Sequence, residues 1–415
     1  MDGLRELRAV AENGTLGKGP HWFKFETPSP SNFYHPVQVP VFPSAIAQIW
    51  PKIHGSGAGF RFSKNITANL LAKFVERGYS SSELIPPDSE PSQLTHTAVK
   101  LVFIQTDRDR EDAKEKIISG MGSQIVNIAR LHFEDVWRAL NPHPRLGKMM
   151  SYGMLRGFEF LGRTADNEGV SGHLATRSIR FMWTIRQHEQ SSDFDARCII
   201  LSDLSEFHPD SDPAVKRERD WAFLEKKIRW KNRTSDQSPV TVALNHFEAF
   251  KEDSDSPLYL PFAISVYALE ECRERLGLVN ERVMTWVSRD KLGEHAEGTF
   301  EQNLEKHEVN RIFMVEFTQQ DIPMELESTR MVLNTTESLW GHLAIMAKEL
   351  PDTAKSEHVD RSTESILTAL CQLRQELEGL REVLTFIEMR MNSYLSMVSF
   401  SPLEKVHHNS SLGRS

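Results

Sequence analysis

From Ile366 to Val398 apolar residues recur in unbroken alternating steps of four and three: Ile366, Leu370, Leu373, Leu377, Leu380, Leu384, Ile387, Met391, Tyr394 and Val398. Such steps average about 3.5 residues, which draws one narrow stripe along a helix, so the stretch predicts a long helix with a packing seam. An apolar stripe of that length needs a cover. Two covers meet the requirement: the preceding helices of the same chain in an antiparallel bundle, or copies of the same helix in an oligomer. Arg374, Glu376, Glu378, Arg381 and Glu382 flank the seam, as a coiled coil or a bundle requires.

Helical periodicity extends upstream as well. Phe262, Val266, Leu269, Leu276, Val279 and Val283 place a helix over about Pro257 to Ser288, after the Ser254-Asp255-Ser256 boundary. A second helix is expected from Phe300 to about Thr318. Pro323 should interrupt it, because proline lacks an N–H and clashes with the preceding turn. Helix resumes through Leu326, Val332, Leu333, Leu339, Leu343 and Met346, and stops at Leu350-Pro351.

The earlier part of the chain reads differently. Val99, Leu101 and Phe103 open a strand, and a helix is expected from about Asp109 or Asp112 to Arg138, weakened by Gly120 and Gly122. Ile179, Phe181, Trp183 and Ile185 alternate with Arg180, Met182, Thr184 and Arg186. Ala196, Cys198 and Ile200 alternate likewise with Arg197, Ile199 and Leu201, and the short polar run between the two segments predicts an antiparallel hairpin. A further short helix is expected after the Pro209 to Pro213 turn, through Val215, Trp221, Leu224 and Ile228.

The resulting expectation is an α+β fold in four parts. Residues 1–95 form an irregular N-terminal arm with one short helix near Ile66 to Val75, and residues 96–250 a mixed-sheet domain. Residues 251–400 form a long-helix module, and residues 401–415 a disordered polar tail. Gly55, Gly57 and Gly59 resemble a phosphate loop only superficially. The order of glycines and Lys64 does not match G-x-x-x-x-G-K-[ST], so a flexible turn is expected there.

Composition narrows the function classes. A formal charge of −9 over 415 residues disfavours a phosphate-backbone partner, so no nucleic acid is expected. The three cysteines, Cys198, Cys272 and Cys371, are too far apart for a disulfide framework or a thiolate zinc site. That usage points to a reducing compartment, and with no apolar leader after Met1 a soluble cytoplasmic protein is expected. The longest apolar run, Leu258 to Leu269, contains Pro261 and is too short for a direct membrane span. No G-x-S-x-G elbow, H-E-x-x-H helix or dinucleotide fingerprint occurs, and the cysteines fall on apolar or helical positions, so an enzyme is not expected.

The order of elements, with the run Ile179-Arg180-Phe181-Met182-Trp183-Thr184-Ile185-Arg186-Gln187 and the helix from Leu373 to Val398, resembles the cytoplasmic part of the divergent fungal CorA-like magnesium transporters. In that family a "WSIRQ" strand is followed by shorter helices and a long stalk helix. The resemblance implies a CorA-like domain that regulates, or assembles with, a membrane-bound divalent-cation transporter, or forms a homo-oligomer. It further implies Mg²⁺ binding through acidic side chains, for which Asp203, Glu206, Asp210 and Asp212 are the residues to test. The chain departs from the family after the stalk: Ser401-Pro402 stands where a first membrane span is expected, so a domain without a transport pore is implied. The alternative is a helical scaffold or protein–protein interaction protein with no link to transport.

Overall fold

The computed structural model describes residues 23–26, 44–50, 58–64, 66, 68–77, 98–108, 124–143, 146, 157–163, 169–176, 179–187, 194–203, 239–292, 300–349 and 357–400. The fold is α+β. It divides into two compact units, one of Met1–Ala268 with Asn334–Leu373, the other of Leu269–Leu333 with Arg374–Ser415.

The first unit is organised on a mixed sheet. Its strands are β1 (Phe23–Glu26), β2 (Ser44–Trp50), β3 (Gly59–Lys64), β4 (Ala98–Arg108), β5 (Gln124–Ala129), β6 (Gly157–Arg163), β7 (Gly169–Ala175), β8 (Ile179–Gln187) and β9 (Phe194–Asp203). Among the described residues they run in the order β1-β5-β4-β9-β8-β7-β6, with β2 joining β4 and β3. The β8–β9 hairpin is antiparallel as its alternation predicts, and β4 lies parallel to β9. Strand β4 is long enough to take β2 along Val99–Ile104 and β5 along Thr106–Arg108 on the same side.

Two expectations are corrected here. The stretch expected to be an irregular arm supplies β2 and β3 as well as the short helix α1 (Ala68–Arg77). Strand β2 escaped notice because Ser44 to Ile49 are all buried, so no apolar–polar alternation marks it. Gly59 is likewise a strand residue and not part of a flexible turn. It pairs with Trp50, and a Cβ there would sit 1.7 Å from the indole Cε2, so only glycine admits the ring.

The single helix expected up to Arg138 is also corrected. Gln124–Ala129 is strand β5, and the helix α2 covers only Arg130–Leu140. Ile125, Val126 and Ile128 are β-branched and favour the extended form, whereas Phe133, Val136, Trp137 and Leu140 keep helical spacing. Helix α2 ends at Asn141, whose φ of 47° and N–H to Trp137 O (3.0 Å) make a left-handed cap ahead of Pro142.

One sheet face carries α1 and α2. Leu71, Phe74 and Val75 of α1 and Phe133, Val136, Trp137 and Leu140 of α2 enclose Ile46, Val102, Ile104, Met182, Ile199 and Leu201. The other face presents Phe181 to helix α3 (Pro239–Ala249) and helix α4 (Tyr259–Leu292), its ring 6.5 Å from Phe247 and 5.5 Å from Tyr267, both edge-on. Three hydrogen bonds join buried polar groups there: Trp340 donates to Ser265 Oγ (2.8 Å), Tyr259 Oη to Phe247 O (2.5 Å), and Ser256 meets Thr363 (2.8 Å).

The second unit consists of parts of three helices, α4, α5 (Phe300–Glu349) and α6 (Glu357–Phe400). Helix α5 runs through Pro323 without a break, contrary to the expected interruption. Burial of Ile322 at 3% and Leu326 at 1% on either side of the proline explains this: packing outweighs the lost hydrogen bond. Its continuity also makes α5 longer than α6, unlike the short-helix order that the transporter resemblance implies. No helix among the described residues is long and apolar enough to cross a membrane. The helix expected over Val215 to Ile228 lies outside the described residues.

Candidate functional site

Three features of the described residues carry polar or interaction chemistry. The first is a row of polar side chains at one level of the sheet. Gln48 on β2 pairs with Lys100 on β4, Lys100 with Arg197 on β9, Arg197 with Thr184 on β8, and Thr184 with Ser171 on β7. All five face α1 and α2, because strand side chains alternate and Val102, Ile199 and Met182, two residues away, enter the core on that face.

The row meets the helix ends. The last carbonyls of a helix have no partner within it. Lys100 Nζ donates to Val75 O (3.3 Å) and Glu76 O (3.2 Å) of α1. Arg197 donates to Ala139 O, and Thr184 Oγ1 to Leu140 O (3.0 Å), at the end of α2. Ser171 Oγ accepts from His143 N (3.0 Å). Asp195, one register step away, joins the two cations: its Oδ1 lies 3.1 Å from Lys100 Nζ and its Oδ2 2.6 Å from Arg197 Nη2.

Burial holds the Lys100 ammonium below its ordinary pKa, and Asp195 partly opposes that shift. Two positive ends at the negative poles of two helices, with one shared carboxylate, form a closed electrostatic clamp. Its members are buried or nearly so, which suits positioning of helices better than turnover of a substrate.

The second feature is His173 on β7, 1% exposed, with neither ring nitrogen hydrogen-bonded. Desolvation, and then Arg180, lower its pKa to about 4, so it is neutral at physiological pH. The thiols of Cys198 and Cys272 are pushed up by burial, away from the thiolate a nucleophile needs. Cys371 is exposed.

The third is the surface of the second unit. Leu377, Leu380, Leu384, Ile387 and Met391 of α6 are buried within the one chain, where Leu276, Val279 and Val283 of α4 and Leu326, Val332 and Leu333 of α5 are buried too. Ion pairs tie the helices: Arg275 to Glu325 (2.6 Å), Arg330 to Glu388, and Arg273 to Glu376. Outside this packed seam, α6 exposes Val383 at 40%, Phe386 at 43% and Met389 at 58%. Arg390 stacks over Phe386, 4.1 Å from the ring centroid, and reaches Met284 Sδ.

Of the residues selected from sequence, Ile366 and Leu370 are buried in the first unit and Leu373 is half-buried. Tyr394 and Val398 belong to α6, but their side chains lie outside the described residues. Asp203 is the last residue of β9, while Glu206, Asp210 and Asp212 lie outside the described residues. No group of three or more His, Cys, Asp or Glu suited to a metal is brought together among the described residues.

Sequence reasoning missed the clamp. Its one available signal was Lys100 standing in an otherwise apolar run, Val99 to Ile104. It also missed the Val383, Phe386, Met389 face, whose spacing of three lies outside the heptad seam. No family model matches the chain, nor does any curated protein or solved structure.

Proposed function

We propose that this chain is an interaction or scaffold protein whose helical module is its working surface. The observation that supports it most directly is the division of labour on α6. One side, through Leu377, Leu380, Leu384, Ile387 and Met391, is buried in its own chain, while Val383, Phe386 and Met389 face outward. An exposed apolar group on a helix whose packing face is already filled marks a surface for another macromolecule. A photo-reactive amino acid at Val383, compared in cells with one at exposed Glu364, tests this. Protein adducts at Val383 and none at Glu364 are expected; an unadducted Val383 overturns the proposal.

A second reading keeps the CorA-like resemblance: a domain that regulates or assembles with a divalent-cation transporter. It is supported by the position of Trp183-Thr184-Ile185-Arg186-Gln187 in β8, inside a mixed sheet that a helical module follows, although α5 is longer than that resemblance implies. Light scattering with and without millimolar Mg²⁺ separates the two. A ring-sized oligomer that forms with Mg²⁺ favours the transporter-linked reading, and a Mg²⁺-insensitive mass argues against it.

A further inference from the structure

The exposed face of α6 has an internal symmetry centred on Phe386. Glu382 and Arg390 stand four residues to either side of it, Val383 and Met389 three, and Gly379 and Ser393 seven. Residues four apart form a continuous ridge along a helix surface. A two-fold axis through Phe386, perpendicular to that ridge, sets Phe386 against its copy. It also sets Glu382 against Arg390 of the second molecule, a contact made twice, while Val383 and Met389, offset across the ridge, each come beside their own copy near the axis.

Opposite charge therefore meets opposite charge, and apolar meets apolar. Among the described residues neither Glu382 nor Arg390 has an ion-pair partner, although Glu378 pairs with Arg381 and Glu388 with Arg330 close by. Space is present as well: a Cβ at Gly379 would meet nothing within 4 Å, and the Ser393 hydroxyl is already bonded to Met389 O (2.9 Å). Covering these two positions strands no hydrogen-bonding group.

From this arrangement we infer that the outer ridge of α6 is an isologous docking site for a second copy of this chain, in an antiparallel sense with Phe386 on the two-fold axis. The inference rests on the proposed interaction role of the helical module and names its partner. Self-complementarity about one residue is the signature of such a contact, in which residue i meets j and j meets i. A crossing of single helices is small, so the dimer is weak and weakens further with salt.

The test is sedimentation of the full chain over a concentration series. Wild type is expected to dimerise. Glu382→Arg and Arg390→Glu alone are each expected to weaken the dimer by about tenfold or more, since each breaks two pairs and opposes two like charges. Glu382→Arg combined with Arg390→Glu is expected to restore it. A monomer at every concentration, or a double exchange no tighter than the single ones, overturns the inference.

A second measurement does not depend on the charge variants. In a Cys371→Ser background, Phe386→Cys is expected to give an intermolecular disulfide on mild oxidation, while Glu364→Cys gives none. Failure of Phe386→Cys to cross-link overturns the inference. Adducts of Val383 to a different protein, without self-adducts, would leave the interaction role standing and remove only this partner.

Discussion

Replacing Asp195 with alanine is the sharpest test of the clamp that holds α1 and α2 on the sheet. The carboxylate is 9% exposed, Lys100 7% and Arg197 13%, so neither cation has ready recourse to water once Asp195 is gone. Removing one member of a buried, hydrogen-bonded charge set costs about 3–5 kcal/mol, because the remaining charge stays buried without compensation. Lys100→Met should cost less, about 1–3 kcal/mol, since Asp195 keeps Arg197 while the Val75 and Glu76 carbonyls lose their donor. The double variant should fall short of the sum by about 1–3 kcal/mol, which is the coupling of groups in contact. Hydrogen exchange of β4 and β9 peptides reads the opening of the first unit apart from the helical one. The pH dependence has a definite sign. The folded-state pKa of Lys100 is lowered, so below its ordinary value of 10.5 the unfolded chain binds more protons, and stability rises as pH climbs through that window. Asp195→Ala should steepen this rise and Lys100→Met abolish it. A cost below about 1 kcal/mol for Asp195→Ala, with unchanged alkaline behaviour, would refute the clamp.

Other consequences concern single residues. His173, neutral in the fold with a pKa of about 4 against 6.5 when unfolded, should make the first unit lose stability as pH falls from 6.5 towards 4; His173→Leu should flatten that loss in acid denaturation curves. A native thiol titration should find Cys371 reactive and Cys198 and Cys272 silent until denaturant is added; rapid modification of either buried thiol in the native protein would contradict its placement. Pro323→Ala should stabilise α5 by up to about 3 kcal/mol if the helix is continuous there, and thermal unfolding that does not shift would point to a break at the proline.

How legible all this was depended on whether a residue's environment left a period in the chain. The seam of α6 was readable because one of its faces is apolar and the other polar, at a period of 3.5, and the β8–β9 hairpin because Arg180, Thr184, Arg186 and Arg197 interrupt its apolar runs at every second position or so. Strand β2 was not, since Ser44 to Ile49 are buried on both faces and alternation disappears. Strand β5 was absorbed into a helix because Ile125, Ile128 and Ala129 also fit helical spacing, and the residues that would have marked its start lie in the Gly120 and Gly122 region. Pro323 was overweighted: local propensity is a weak prior once Ile322 and Leu326 pack. The division into units was illegible for a different reason. Its boundaries fall inside α4, α5 and α6, and the α6 seam continues with one period from Ile366 through Leu384 across the boundary at Leu373. Periodicity reports that a stripe is covered, not by what.

The polar residues of the candidate sites sort by what surrounds them, and that sorting supports a binding role over turnover. Lys100, His173, Cys198 and Cys272 are each displaced in protonation chiefly by burial. Displacement of that origin accompanies any charge or thiol built into a packed layer. For Lys100 the layer is visible: its three ammonium contacts are two helix carbonyls and a carboxylate. Catalysis would require the same group to reach solvent and exchange those partners, at the expense of the α1 end it holds. Arg390 and Glu382 show the converse. They lie on an outer helix face, have no ion-pair partner among the described residues, and flank an exposed aromatic ring. A charge with no ion-pair partner among the described residues, beside an exposed ring, has a partner still to gain, which is what a recognition surface offers and what the clamp does not.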